Sequence, residues 1–223
     1  MTHVVHPYAH RIGILRDWKS RWFGSREKYA EQLKTDVLIR EYLEKKLRRF
    51  YISSIEMERN EKMFKIIIKT SRSGMIIGRS GDGVKKLKDE ILAFMTKHKL
   101  PKAKDLKIDI EEVRYPETDA AIVGMMVAEQ LEKRMQFRRV LKMTVDKVMA
   151  NREVQGVKIG LSGRLGGAEM ARREELKKGR IPLQTLRADI DFAREKAFMS
   201  YGIVGIKVWI YKGQVFTKDE QKE

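Results

Sequence analysis

The sequence predicts an α+β protein with two domains in tandem. Three observations carry this. Short segments alternate apolar and polar residues, as Phe64, Ile66 and Ile68 do against Lys65, Ile67 and Lys69, and read as half-buried strands. Longer segments repeat apolar residues at helical spacing, as Val84, Leu87, Ile91 and Phe94 do. Pro116 then interrupts the pattern near the middle, and a new order of helix, helix and strands begins. A chain of 223 residues is long enough for two ordinary domains, and its 42% hydrophobic share supplies real cores.

Residues 1–24 form an irregular arm, broken by Pro7, Gly13 and Gly24. Trp18, Trp22 and Phe23 are too much aromatic surface for a solvated tail, so the arm is expected to pack onto the protein. His3, His6 and His10 lack the nearby carboxylates of a metal site. A helix starts at Ser25, a plausible N-cap, with Glu27 in its first turn. Tyr29, Leu33, Val37, Tyr42, Leu47 and Phe50 mark its apolar side, and Lys45, Lys46, Arg48 and Arg49 its end. Two strands follow, around Ile55–Met57 and Phe64–Ile68, joined by a turn at Asn60-Glu61. Next come a short helix over 72–77, the loop Gly78-Arg79-Ser80-Gly81, a helix over 82–98, and a strand with Leu106, Ile108 and Ile110 on one side.

Beyond Pro116 a nearly apolar helix covers 119–135. A second helix covers 137–149, with Phe137, Val140, Leu141, Thr144, Val145 and Val148 on its inner side. Arg138, Arg139 and Lys142 share an arc beside that face, with Asp146 partly offsetting them. From charge alone, a solvated helix face and a phosphate-tracking face are equally good readings. Alternation marks strands at Val157–Leu161, Leu186–Phe192 and Ile206–Ile210, where Ile206, Val208 and Ile210 alternate with Lys207, Trp209 and Tyr211. A further strand lies near Lys196–Tyr201. Between the first and second runs a long basic loop, from Ser162 to Arg180, contains Arg164, Gly166, Gly167, Arg172, Arg173, Lys177, Lys178 and Arg180. Long ordered loops are usually functional, and this one reads as a second grip on RNA.

The charge is +17, from 48 Lys and Arg against 31 Asp and Glu, which points to an anionic partner such as nucleic acid. The absence of cysteine excludes disulfides and thiolate zinc sites. No run reaches the roughly 18 apolar residues of a membrane helix, and the N-terminus has no apolar core of a secretory signal. No Gly-Lys-Ser or Gly-Lys-Thr occurs, and Gly78, Gly81 and Gly83 stand in the wrong order for a dinucleotide loop. The Gly78–Gly81 loop offers close backbone approach, a guanidinium at Arg79, a hydroxyl at Ser80, and Lys85 and Lys86 on the helix that follows. A nuclease needs convergent carboxylates; Asp189 and Asp191 are the tempting pair, but read more simply as the polar side of a strand.

Helix–Gly-x-x-Gly–helix between strands resembles a KH domain of the second type, which holds about four nucleotides on this loop. The whole chain resembles the bacterial small-subunit ribosomal protein three family. The landmarks are Val5-His6-Pro7 with Arg11 and Gly13, Ile76-Ile77-Gly78-x-x-Gly81, Phe137-Arg138-Arg139, Ser162 to Glu169, Gly179 to Leu183, Thr185 to Asp191, Tyr201-Gly202 and Gly205 to Ile210. The resemblance implies an N-terminal domain at 1–116, with arm 1–24 and a KH module at about 38–114 on a three-stranded sheet backed by helices. It implies a C-terminal α+β domain at 117–213, two helices on a mainly antiparallel sheet, and a short frayed tail at 214–223. It further implies a non-catalytic cytoplasmic component of the small-subunit head that binds ribosomal RNA beside small-subunit proteins ten and fourteen. Residues matching Arg138, Arg139 and Lys142 would touch messenger RNA where it enters the subunit, near proteins four and five. No cofactor, membrane or homo-oligomer is expected. Three features depart from the family: Ala9 replaces a glycine, Arg79-Ser80 replaces a basic pair, and the basic C-terminal extension of many members is missing. A free-standing RNA regulator would lack the landmarks at 163–169 and 185–191, which are present.

Overall fold

The computed structural model describes residues 5–60, 63–101 and 105–216. The expected turn at Asn60-Glu61 therefore lies partly outside the described residues, as do His3 and the last seven residues of the tail. Two compact units are present. One spans Trp18–Arg114; the other joins the described residues up to Asp17 with those from Tyr115 onward. The arm, counted in sequence with the N-terminal domain, is thus divided between the two.

The arm contains one helical turn, α1 (Pro7–His10), and a two-residue strand, β1 (Ser20–Arg21). The first unit continues with α2 (Arg26–Lys46), β2 (Ile52–Arg59), β3 (Met63–Thr70), α3 (Ser73–Ile77), α4 (Asp82–Lys97) and β4 (Asp105–Glu112). Its sheet has four strands in the order β1-β2-β3-β4, one more than the sequence predicts, because β1 adds to the edge of β2. β2 and β3 are antiparallel; β3 and β4 are parallel, as the helical crossover between them requires. Ile55, Met57, Phe64, Ile66 and Ile68 are buried in the sheet, and Ile39, Leu43, Leu87, Ile91 and Met95 are buried on the helices.

The apolar side assigned to α2 from the sequence is only half right. Tyr29, Leu33 and Val37 are exposed, and the buried positions are Thr35, Asp36, Ile39 and Leu43. The cause is the Asp36 carboxylate. It is buried, accepts a hydrogen bond from Trp22 Nε1 at 2.7 Å and another from Arg59 Nε at 3.0 Å, and so rotates the helix. An unpaired buried carboxylate would be costly, so its partners set the helix face.

The second unit contains α5 (Ala120–Glu132), α6 (Phe137–Met149), β5 (Gly156–Gly163), β6 (Arg172–Gly179), β7 (Ala188–Met199) and β8 (Gly202–Gln214). The sheet order is β6-β5-β8-β7, with every neighbouring pair antiparallel. Much of the segment read as a long basic loop is therefore the edge strand β6. Its only apolar residue is Leu176, so alternation was hidden under charge. The strands expected at Leu186–Phe192 and Lys196–Tyr201 are one strand, which starts at Ala188 and leaves Leu186 exposed. The start of the tail is ordered: Gln214 ends β8 and the Val215 N–H donates to the Arg187 carbonyl at 2.9 Å.

α5 and α6 cover one face of this sheet. Val123, Val127, Val140 and Val145 meet Ile159, Leu161, Ile206 and Val208 there. The arm covers part of the other face, where Ala188, Ile190, Phe192, Trp209 and Tyr211 are buried. Trp209 and Tyr211, which alternate with Ile206, Val208 and Ile210, are buried because their side of the sheet is covered too. The arm's anchor is Arg11, which is fully buried. It donates to the carbonyls of Ala188 (2.7 Å), Pro7 (3.0 Å), Leu183 (3.0 Å) and Thr185 (2.9 Å). The aromatic residues that suggested packing contribute less: Trp18 and Phe23 are exposed.

Candidate nucleic-acid interface

The glycine loop joins α3 to α4 through a tight turn at Arg79–Gly81. Gly78 (φ 70°) and Gly81 (φ 82°) both take conformations that favour glycine, and Ser80 (φ 55°) is left-handed between them. Gly83 closes the junction: a Cβ there would lie 2.3 Å from the Ile76 carbonyl oxygen, so the two helices touch through backbone alone. In the sequence this glycine served only to exclude a dinucleotide loop; its packing role is visible in the fold. Ile76 points inward and is buried, whereas Met75 and Ile77 are exposed beside the loop. Arg79, Ser80, Lys85 and Lys86 are all exposed. Lys85 stands 3.9 Å from Asp82, while among the described residues Arg79 and Lys86 have no ion pair. The loop thus presents an uncrowded backbone turn, two apolar side chains and free cations together.

In the second unit Arg138, Arg139 and Lys142 project from the exposed side of α6, opposite Val140, Leu141, Val145 and Val148. Arg138 lies 3.6 Å from Glu174 on β6; Arg139 and Lys142 form no ion pair among the described residues. The cations of β6 are mostly engaged. Arg172 also lies 3.6 Å from Glu174, Arg173 pairs with Glu175, and Lys178 donates to Asp146 at 2.9 Å. The Lys178 hydrogen bond holds the Asp146 carboxyl below its ordinary value, and the Lys158 hydrogen bond does the same for Glu175, with Arg173 adding to it. Lys177 and Arg180 are exposed and unpaired among the described residues.

Arg164 is used differently from the role assigned to it in sequence. Its Nε donates to the Ala168 carbonyl at 2.9 Å and its NH1 to the Tyr201 carbonyl at 3.2 Å, which fixes the turn containing Gly166 and Gly167. Those glycines have φ of 70° and 83°. Beside them opens a cavity of about 750 Å³, lined in part by Arg134, Phe137, Arg138, Arg172 and Tyr201. Sequence reasoning missed Arg134 and Tyr201 as site residues, since they come together only through the fold.

The tempting carboxylate pair has other partners. Asp189 accepts from Arg16 at 2.6 Å, and Asp191 accepts from the Ala120 N–H at 2.8 Å at the start of α5. Asp119 completes that cap by accepting from Ala121 (2.9 Å) and Ile122 (3.1 Å). Among the described residues no group of three His, Cys, Asp or Glu could hold a metal ion.

Comparison with known proteins agrees with this geometry. The family described as KH domain matches residues 38–118, and that described as ribosomal protein S3, C-terminal domain, matches residues 127–210. The small ribosomal subunit protein uS3 of Clostridium novyi (strain NT) is 46% identical over 215 residues, covering 96% of this chain and 94% of the relative. The chain belongs to the uS3 family. Another uS3, from Coxiella burnetii (strain RSA 493 / Nine Mile phase I), is 45% identical and covers all of this chain and 95% of the relative. The uS3 of Xanthomonas campestris pv. campestris (strain 8004) is 44% identical over 216 residues, 97% of this chain and 85% of the relative. Several uS3 landmarks quoted above have structural work here: Arg11 ties the arm down, Arg164 holds the Gly166–Gly167 turn, and Asp191 caps α5.

Proposed function

We propose that this chain is a non-catalytic structural component of the small ribosomal subunit head, held by ribosomal RNA and touching messenger RNA as it enters. The observation that carries the reading is the pairing of two exposed, basic, carboxylate-poor features on a uS3-family chain: the Gly78–Gly81 loop and the outer face of α6. Exposed unpaired cations exchange counterions for phosphate, which dominates affinity without reading sequence. The KH loop with Lys86 holds ribosomal RNA. Arg138, Arg139 and Lys142 face messenger, where fixed cations favour single strands as the ribosome draws them in. Small-subunit proteins ten and fourteen are neighbours in the head, and four and five at the channel.

Sedimentation of cell extract on a sucrose gradient tests this. The chain is expected to stay with the small subunit through a wash at about half-molar salt, where loose charge contacts release. Free protein at low salt would overturn the reading.

A further inference from the structure

The cavity beside the Gly166–Gly167 turn has a composition that the phosphate contacts on α6 and β6 do not explain. Its volume of about 750 Å³ falls within the roughly 300–1,000 Å³ that small-molecule sites occupy. No carboxylate residue lines it, while Arg134, Arg138 and Arg172 all do. Glu174, 3.6 Å from both Arg138 and Arg172, offsets only part of that charge. Its two rings stand on either side of a stretch of backbone without side chains. A Cβ at Gly166 would come 3.9 Å from the Phe137 ring, and one at Gly167 would come 3.9 Å from the Tyr201 ring. The guanidiniums of Arg138 and Arg172 lie 5.6 and 5.2 Å from the centre of the Phe137 ring. The floor is apolar, with Leu165 and Val204 buried beneath it.

We propose that this cavity receives a single unstacked nucleotide of the bound RNA. The proposal rests on the RNA-binding reading above and names how one site would meet its ligand. A flat base needs an apolar slot with a π surface, which Phe137 and Tyr201 provide, and its phosphate needs a cation free of competing carboxylates, which Arg134 supplies, having no ion pair among the described residues. Paired RNA cannot insert a base, because its bases are stacked and present only their edges, beside the 2′-hydroxyls and phosphates. A peptide partner would be better served by acceptors for its backbone N–H groups, and the wall supplies mainly donors.

The test uses the full chain and two hairpin RNAs, one fully paired and one with a single bulged 4-thiouridine. One bulged residue is shorter than the roughly four nucleotides that a KH loop spans, which separates the two sites. The bulged hairpin is expected to bind about tenfold tighter, the scale of one base stacking on an aromatic ring. Irradiation is expected to join the bulged base to the peptide holding Phe137 or Tyr201. Tyr201→Leu is expected to remove the preference, and Tyr201→Phe to keep it. Arg79→Glu weakens both hairpins alike. Equal binding of the two hairpins by the unaltered chain, or crosslinks confined to the Gly78–Gly81 loop, overturns the proposal while the RNA-binding reading stands. Binding of neither hairpin overturns both.

Discussion

The outer face of α6 and the edge strand β6 are equally basic in sequence and unequal in the charge they leave free. On α6, Arg139 and Lys142 have no ion pair among the described residues. On β6, Arg172 and Arg173 face glutamates of their own strand, and Lys178 is held by Asp146. The difference follows from geometry. In a strand, residues two apart share a side, so Arg173 meets Glu175 and Arg172 meets Glu174. On α6 the three cations lie together in one arc, and Asp146 turns to β6 instead. A count of lysines and arginines therefore overstates what a surface offers to phosphate, and the edge strand's mixed charges also suit its exposed edge by discouraging self-pairing.

Arg11 is the extreme of a cation used wholly by the fold, so its loss is the largest expected effect. Arg11→Met removes four hydrogen bonds to backbone carbonyls and is expected to destabilise the second unit by about 3–5 kcal/mol. Chemical denaturation followed by Trp209 fluorescence reads this, and a loss under 1 kcal/mol, on the scale of an exposed pair, would remove Arg11 as the anchor. Next comes the comparison itself. Reversing Arg139 and Lys142 to glutamate is expected to weaken RNA binding on the order of tenfold or more and to flatten its salt dependence by about two contacts. The same change at Arg173 and Lys178 is expected to cost less than about threefold, because those charges are already partly neutralised. Equal losses in filter-binding titrations would show that pairing does not decide availability. A smaller effect runs the other way. Asp146→Asn releases Lys178, and RNA affinity is expected to rise about twofold; no change, or a fall, would show that Asp146 does not limit what Lys178 offers to RNA.

Acid titration makes the smallest contribution per group. Glu56 has a lowered pKa: burial alone would raise it, but hydrogen bonds and charge from Lys69 and Arg21 prevail. Glu175 is lowered chiefly by its hydrogen bond from Lys158, and Asp109 by that from Lys65. A carboxylate whose pKa is lower folded than unfolded stabilises the fold above its unfolded value and loses that contribution as pH falls through the folded value. Thermal stability is thus expected to be flat from neutrality to about pH 5 and to decline below about pH 4.5, where unfolded glutamates begin to bind protons. Glu175→Gln is expected to lessen that decline.

Much of the fold was legible because its signals are local. Alternation in β3 and β4 and the helical spacing of α4 and α6 follow from side-chain periods of two and 3.6, which need no knowledge of the partner. The glycine loop was legible for the same reason, since Gly78 and Gly81 report backbone angles of their own residues. Two readings failed where a distant partner decided. α2 turned to place Asp36 against Arg59, and β6 was obscured because a charged edge strand lacks an apolar side; the cover of Trp209 and Tyr211, which comes from the far end of the chain, left no local signal.

The sequence by itself determined the α+β class, the strong positive charge and the glycine loop of the KH module. The tertiary structure alone decided which cations remain free, that the arm covers part of the second face of the C-terminal sheet, and that Phe137 and Tyr201 line one cavity. The physical reason is the range of the interactions. Periodicity is written in neighbouring residues, whereas charge neutralisation and burial depend on contacts such as that of Arg11 with Ala188, 177 positions apart.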